Sequence, residues 1–322
     1  VDSQLEAALD VVVVGGGFAG LAGALTLARA RRSVLVIDAG HPRNAPAPHS
    51  HGYLTRDGVS PLEMLDIGRR EVAGYGVQTV QADVVSLDRL PSGTFRSTAA
   101  DGRRWEARRL LVATGLVDEL PDIPGLRERW GRDVVHCQFC FGWEIRDTPL
   151  GVLATGTDAA SKALMWRQWS ADLILFRHTA PEQTAEQEDQ LAAQGIRVVE
   201  GEVTAVEVRD DRLVGLRLQS GRVIERSAVV VAPRFQARHA LVDALGATVA
   251  EHPLGIGSQV QADATGKAAP GVWVAGNVAD VTAGVLQSAA SGVTAAAAVN
   301  ADLTADDTAR ALSAAGRQGT AR

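Results

Sequence analysis

Apolar positions in this chain fall into short runs separated by glycine-rich turns, and the runs repeat a strand–turn–helix order. Val11–Val14 is a continuous β-branched run, the pattern of a strand buried on both faces. It ends in GGGFAG, and a small-residue stretch then predicts a helix from about Leu21 to Arg31. A second strand, Ser33–Ile37, is closed by Asp38. A similar unit begins near residue 150, with strand Leu150–Leu153, turn Ala154–Asp158, a helix to about Trp169 and a strand within ADLILFRHT. Between these units Thr94–Ala99 and Trp105–Ala107 flank DGRR, a hairpin pattern, and Leu110–Ala113 is another buried strand ending in Thr114–Gly115. The later half echoes this order, with Leu213–Leu218 and Val223–Ile224 joined by QSGR and followed by strand Ala228–Val231. Strand Val272–Ala275, turn Gly276–Asp280 and a small-residue helix to about Asn300 come last, and the tail from Leu303 is expected to fray. Strands alternating with helices predict an α/β fold with parallel sheets.

Composition narrows the function classes. The 322 residues are 46% hydrophobic and 22% charged, the balance of a globular protein of two domains or one large one. With 38 acidic against 32 basic side chains, the formal net charge is −6, which argues against a general nucleic-acid binder. Val11–Ala28 and Val281–Ala301 approach the ~20 residues of a membrane span. The first carries five glycines and the second is mostly Ala, Gly, Ser and Thr, so both predict closely packed interior helices and no membrane span. VDSQLEAALD lacks a basic region, so no secretory signal is expected.

Gly15, Gly17 and Gly20 occupy the three positions of G-x-G-x-x-G between a strand and a helix. The first permits a tight turn, the second lets backbone N–H groups approach a pyrophosphate, and the third lets helix pack on strand. Asp38, closing the next strand, is placed to accept ribose hydroxyls. The second unit keeps only Gly156, with Ala154 and Ala159 at the flanking positions, a degraded form that also fits a βαβ unit without nucleotide. Both cysteines lie in one tetrad, Cys137-Gln138-Phe139-Cys140. A C-x-x-C can close a small disulfide ring and exchange with other thiols. Half of a zinc site, with His136 as third ligand, and two inert core thiols are the competing readings.

The GGGFAG unit, LLVATG closing an insertion, a C-x-x-C just before a second nucleotide unit, and AGNVAD near the end together resemble the low-molecular-weight thioredoxin reductase family over nearly the whole chain. The resemblance implies two nucleotide-binding Rossmann-like (three-layer ββα) domains. Residues 1–117 and 236–322 would form an FAD domain, interrupted by a nicotinamide-type domain, 118–235, that carries the C-x-x-C. Gly15, Gly17, Gly20 and Asp38 would hold the FAD pyrophosphate and ribose, and Thr114 and Gly115 would lie along the cofactor. Gly276, Asn277 and Asp280 match the second flavin motif, and Gln287 starts the helix covering the isoalloxazine. Cys140 would contact the flavin and Cys137 would exchange with substrate. A cytoplasmic homodimer is also implied.

Three departures bear on function. Phe141 stands where the family has an acidic proton donor, which leaves His136, Glu144, His49 and His51 as replacements. Asn277 replaces the acid of the second flavin motif. Arg177-His178 replaces the histidine and arginines that pair with the 2′-phosphate of NADPH. The last departure moves the resemblance toward the superfamily's dithiol oxidases, which close disulfides in small natural products such as gliotoxin and holomycin. Their motif commonly has His after the second cysteine, so Phe141 departs from them as well. Expected first is a dithiol oxidase for a small molecule or peptide, with oxygen as acceptor. The alternatives are an NADPH-dependent reductase of thioredoxin or a similar protein, and a flavin-containing redox sensor or binding protein. Trp143, Trp166 and Trp169 are expected as packing residues or as walls of a substrate pocket.

Overall fold

In the computed structural model of the protein, residues 9–319 are described, with side chains to residue 315. The chain divides into two compact units. The first comprises residues up to Arg43, Leu62–Val117 and the chain from Phe235 onward. The second comprises Asn44–Pro61 and Asp118–Arg234. The stretch Asn44–Pro61, expected with the first domain, therefore groups with the second unit. The reading of the opening residues as lacking a signal falls mostly on residues 1–8, outside the described residues.

The first unit is built on a sheet whose strands run in the order Lys267–Ala269, Val272–Val274, Arg104–Val112, Leu9–Val14, Val34–Asp38, Gln78–Gln81. The strand Leu9–Val14 lies at its centre, parallel to both neighbours, with Val12 opposite Leu35 and Leu110. Side chains of a strand alternate between faces, so this run feeds two cores. Val11 and Val13 join Val34, Val36 and Leu111 beneath helices Phe18–Arg29 and Val285–Gly319. Val12 and Val14 join Leu35, Ile37, Leu110 and Val112 against Leu87 and Phe95, on the antiparallel strands Val84–Arg89 and Phe95–Ala99. The two helices meet at glycines: a Cβ on Gly292 would lie 2.0 Å from the Ala19 carbonyl oxygen, and one on Gly23 would lie 3.2 Å from the Gly292 carbonyl oxygen.

Two expectations are corrected here. Trp105–Ala107 and Leu110–Ala113 form one strand, Arg104–Val112, and Arg108 and Arg109 do not interrupt it. Arg108 donates to Asp10 at 2.9 Å, Asp306 at 2.7 Å and Asp307 at 2.5 Å, and Arg109 donates to Asp302 at 2.5 Å. Those partners also explain why the last helix runs from Val285 to Gly319 and does not end near Asn300. The turns beyond Asn300 are pinned by Leu303, fully buried, and by ion pairs from Arg32 and Arg108. Arg108 holds the Asp306 carboxyl below its ordinary 3.8 despite partial burial. Arg32, then Arg108, does the same for Asp307. Lowered folded values mean that this clasp contributes stability above the ordinary carboxylate range and loses it as pH falls through the folded values. The expected outcome is a melting temperature that drops as the buffer is taken below about pH 4, with a shallower drop in Arg108→Ala, followed by circular dichroism.

The second unit is a parallel sheet in the order Arg197–Val199, Leu173–Phe176, Leu150–Leu153, Ala228–Val231, Val134–Val135. One face packs on the antiparallel strands Val203–Arg209 and Arg212–Leu218 through Val206, Leu213 and Leu216. The other packs on helix Ala159–Trp166, where Trp166 is buried among Ala160, Ala163 and Leu175. Among the described residues no helix is long and apolar enough to cross a membrane.

Candidate active site

In the first unit, the strand Leu9–Val14 runs out into the glycine loop and helix Phe18–Arg29 begins at once. Gly15 has φ +105°, a conformation open to glycine, and a Cβ there would sit 2.4 Å from the Ala113 carbonyl oxygen. A Cβ on Gly20 would lie 1.9 Å from the Gly15 carbonyl oxygen, so loop and helix touch backbone to backbone. Gly17, in contrast, has nothing within 4 Å of a Cβ position. Two glycines are thus required by the fold, and the third faces open space, as a phosphate cradle demands. Asp38 Oδ1 accepts the Gly16 N–H at 3.0 Å, and Oδ2 lies 3.5 Å from Arg69, so the carboxylate is oriented at the loop. Thr114 donates to the Arg238 carbonyl at 2.8 Å, and the Arg238 N–H donates to Gly115, which fixes the end of the neighbouring strand.

The turn Gly276–Asp280 leads to the last helix of the same unit. Gly276 has φ +73° and donates its N–H to Ser291 at 2.9 Å. Asn277 donates from Nδ2 to the carbonyls of Asp280 at 3.0 Å and Ala283 at 2.8 Å. A carboxylate could make neither bond, so the amide holds this turn closed, while its Oδ1 accepts a hydrogen bond from Arg43 Nη1 at 3.4 Å. Asp280 accepts the N–H and hydroxyl of Thr282, and Gln287 is exposed on the first turn of the helix. A cavity of about 300 Å³ borders the same turn, lined by Gln259, Gln261, Asp263, Gly276, Asp280 and Ser291. Its lining includes neither Gly17 nor Asp38. The donor set of the groove fits FAD: a glycine N–H cradle, a helix start behind it and an oriented ribose acid.

In the second unit, Cys137 follows the edge strand Val134–Val135 at its carboxyl end. Cys137 and Cys140 form a disulfide, with Cα atoms 5.2 Å apart. The turn closes through Cys140 and Phe141 N–H groups donating to the Cys137 carbonyl at 3.2 and 3.1 Å. Phe141 and Ile145 pack against the core of this unit, so position 141 anchors the turn by an apolar contact. Gly142 is obligatory, since a Cβ would meet the Gln138 carbonyl oxygen at 2.4 Å and Trp169 Nε1 at 2.6 Å. Phe139 stands edge-on to Trp169 with ring centres 6.1 Å apart, and Trp143 is exposed under Arg146. Of the three tryptophans, Trp166 is therefore a core residue, while Trp143 lies at the surface. His136 stacks on Trp130 at 5.3 Å. Among the described residues no group of three or more His, Cys, Asp or Glu is placed to hold a metal ion.

The loop 44–61 brings two histidines to this unit. His49 Nδ1 lies 3.0 Å from the Gly58 carbonyl. His51 Nδ1 lies 3.3 Å from Asp57 Oδ2, and its Nε2 lies 3.3 Å from Glu144 Oε1. Asp57 was not legible as a site residue, because only loop geometry brings its carboxylate onto the His51 ring. The degraded nucleotide turn ends in a single acid. Asp158 stands at the start of helix Ala159–Trp166 and pairs with Lys162. Arg177, at the end of strand Leu173–Phe176, pairs with Glu200 at 2.5 Å and Glu182 at 3.4 Å. His178 accepts the Val203 N–H through Nδ1, and burial pushes its pKa down, so it stays neutral near pH 7.

The chain is similar to known proteins over most of its length. The family model described as pyridine nucleotide-disulphide oxidoreductase matches residues 9–299. The crystal structure of HlmI is 44% identical, covers 99% of both chains and superposes with a TM-score of 0.91. An oxidoreductase from Agrobacterium tumefaciens is 35% identical with a TM-score of 0.85, covering 92% of this chain and 99% of its own. A protein named thioredoxin reductase aclD, from Aspergillus oryzae, is 41% identical over 157 residues, 48% of this chain and 50% of its own. The chain spans about half the length of several curated relatives that it matches.

Proposed function

Because the chain belongs to the pyridine nucleotide-disulphide oxidoreductase family, we propose that it is an FAD-dependent thiol–disulfide oxidoreductase working in the oxidising direction. Its substrate is a dithiol on a small molecule or peptide, and oxygen is the final acceptor. Bound in the groove of Gly15, Gly17, Gly20 and Asp38, FAD would supply two-electron transfer between the cysteine pair and oxygen. The remaining steps belong to the chain. A substrate thiolate attacks Sγ of Cys137, the bond to Cys140 breaks, and a mixed disulfide forms as Cys140 leaves as thiolate. The second substrate thiolate then attacks the substrate sulfur of the mixed disulfide and releases Cys137. Two electrons now reside on the cysteine pair, and two protons have left the substrate.

The observation that favours this direction is the placement of acids in the second nucleotide unit. A dinucleotide carrying a 2′-phosphate needs unpaired cations beyond the second strand and an anion-accepting helix start. Here Arg177 is held between Glu200 and Glu182, and Asp158 at the helix start is paired with Lys162. The resemblance adds a cytoplasmic homodimer to this reading. The test is oxygen uptake by the purified yellow protein with small dithiols. The expected result is one peroxide formed per disulfide made. No uptake, together with NADPH oxidation in the presence of a disulfide such as oxidised thioredoxin, would instead assign the reductase direction, for which Gly156, Ala159 and Arg177 are the residual support.

A further inference from the structure

The thiol chemistry needs a group to take and return protons, and Phe141 cannot be that group. Glu144 lies one turn beyond Cys140, on a chain that continues to coil after Phe141, since the Glu144 and Ile145 N–H groups donate to the Phe141 carbonyl at 3.1 and 3.3 Å. Its Oε1 is 3.3 Å from Nε2 of His51, yet the two make no hydrogen bond, and Nε2 is shut off from solvent. The other ring nitrogen faces Asp57 Oδ2 at 3.3 Å, while Asp57 Oδ1 takes the Gly52 N–H at 3.0 Å. That backbone N–H first, and His51 second, hold the Asp57 carboxyl below its ordinary 3.8, so it is ionised throughout the neutral range.

An ionised Asp57 keeps a proton on Nδ1. In the neutral ring Nε2 then carries a lone pair, buried 3.3 Å from a carboxylate oxygen that also carries lone pairs. Two acceptors this close repel unless one proton lies between them. Resting on the thiol–disulfide reading above, we propose that Glu144 and His51 share a proton and form the acid–base pair of the cysteine disulfide, with Asp57 as the positioning residue that fixes the imidazole. During exchange the pair accepts the proton of the substrate thiol as its sulfur attacks Cys137. It gives that proton back when a cysteine thiolate is to be held as a thiol. Near the pair, the His49 ring lies 6.3 Å from that of His51, and Arg146 is turned onto Trp143. The loop 44–61 is seated on the same unit at a second point, where a Cβ on Gly131 would come 3.0 Å from Pro46.

The experiment is anaerobic stopped-flow bleaching of the FAD-bound protein by dithiothreitol from pH 5 to pH 9, in wild type, Glu144→Gln, Glu144→Asp, His51→Asn and Asp57→Asn. Glu144→Gln and His51→Asn are expected to lose about a hundredfold in rate near pH 7 and to lose the acidic limb of the profile. Glu144→Asp is expected to recover part of the rate with that limb present, and Asp57→Asn to move the limb. Melting temperature and flavin content should match wild type throughout. Profiles of Glu144→Gln and His51→Asn that superimpose on wild type, or that fall equally at every pH, would overturn the proposal while leaving the underlying function intact. Wild-type flavin that dithiothreitol does not bleach would overturn the function on which the proposal rests.

Discussion

Cys140→Ser and Cys137→Ser each abolish dithiol-driven bleaching of the flavin while the protein stays yellow. The reason is chemical for the loss and structural for the retention. A serine hydroxyl cannot form the disulfide that links Cys137 and Cys140, so neither variant can accept two electrons from a dithiol. The groove proposed for FAD is built wholly from the first unit, whereas both cysteines belong to the second. The turn itself survives substitution, because backbone bonds to the Cys137 carbonyl and the packing of Phe141 and Ile145 hold it. Flavin content after gel filtration and the bleaching amplitude measure the two halves separately. A Cys140→Ser variant that emerges colourless, or one that still bleaches with dithiol at the wild-type rate, contradicts the assignment.

Gly20→Ala is expected to disrupt the first unit, and Gly17→Ala to spare the fold while weakening the cofactor. The methyl added at Gly20 would stand 1.9 Å from the Gly15 carbonyl oxygen, which is backbone on a loop already turned through φ +105°. Neither side can give way without separating helix from strand, at a cost of about 3 kcal/mol or more and a melting temperature lower by on the order of 10 °C. At Gly17 the same methyl meets nothing within 4 Å. It would instead project into the space where the pyrophosphate is proposed, so flavin is lost at unchanged stability of the flavin-free protein. Thermal melts of flavin-free protein and flavin affinity, measured on both variants, separate the two effects. Equal melting temperatures for Gly20→Ala and wild type would show that the loop does not pack as described.

Much of this architecture is legible in the sequence where local chemistry is unambiguous. The run Val11–Val14 needs two buried faces and receives them, and GGGFAG marks the strand-to-helix turn because backbone contact excludes side chains. The pair Cys137 and Cys140 is visible because the spacing is local. Misreadings arise where distant partners change what a residue can do. Arg108 and Arg109 look like a strand boundary until Asp10, Asp302, Asp306 and Asp307 neutralise them. The same carboxylates make helix out of a tail that looks frayed, since their ion pairs to Arg32 and Arg108 offset its weak apolar content. His51 and Glu144 each stand in the sequence as lone candidates, and no period or motif joins residues so far apart. Asn277 illustrates the opposite case: its place in the motif is visible, but its two bonds to backbone carbonyls are a property of the folded turn.

The most direct test is an anaerobic titration of the purified yellow protein, once with NADPH and once with a small dithiol, following flavin absorbance. With Arg177 held by Glu200 and Glu182, bleaching is expected with the dithiol alone, and colour is expected to return when air is admitted. Rapid bleaching by NADPH would contradict the oxidising direction and make the protein a reductase.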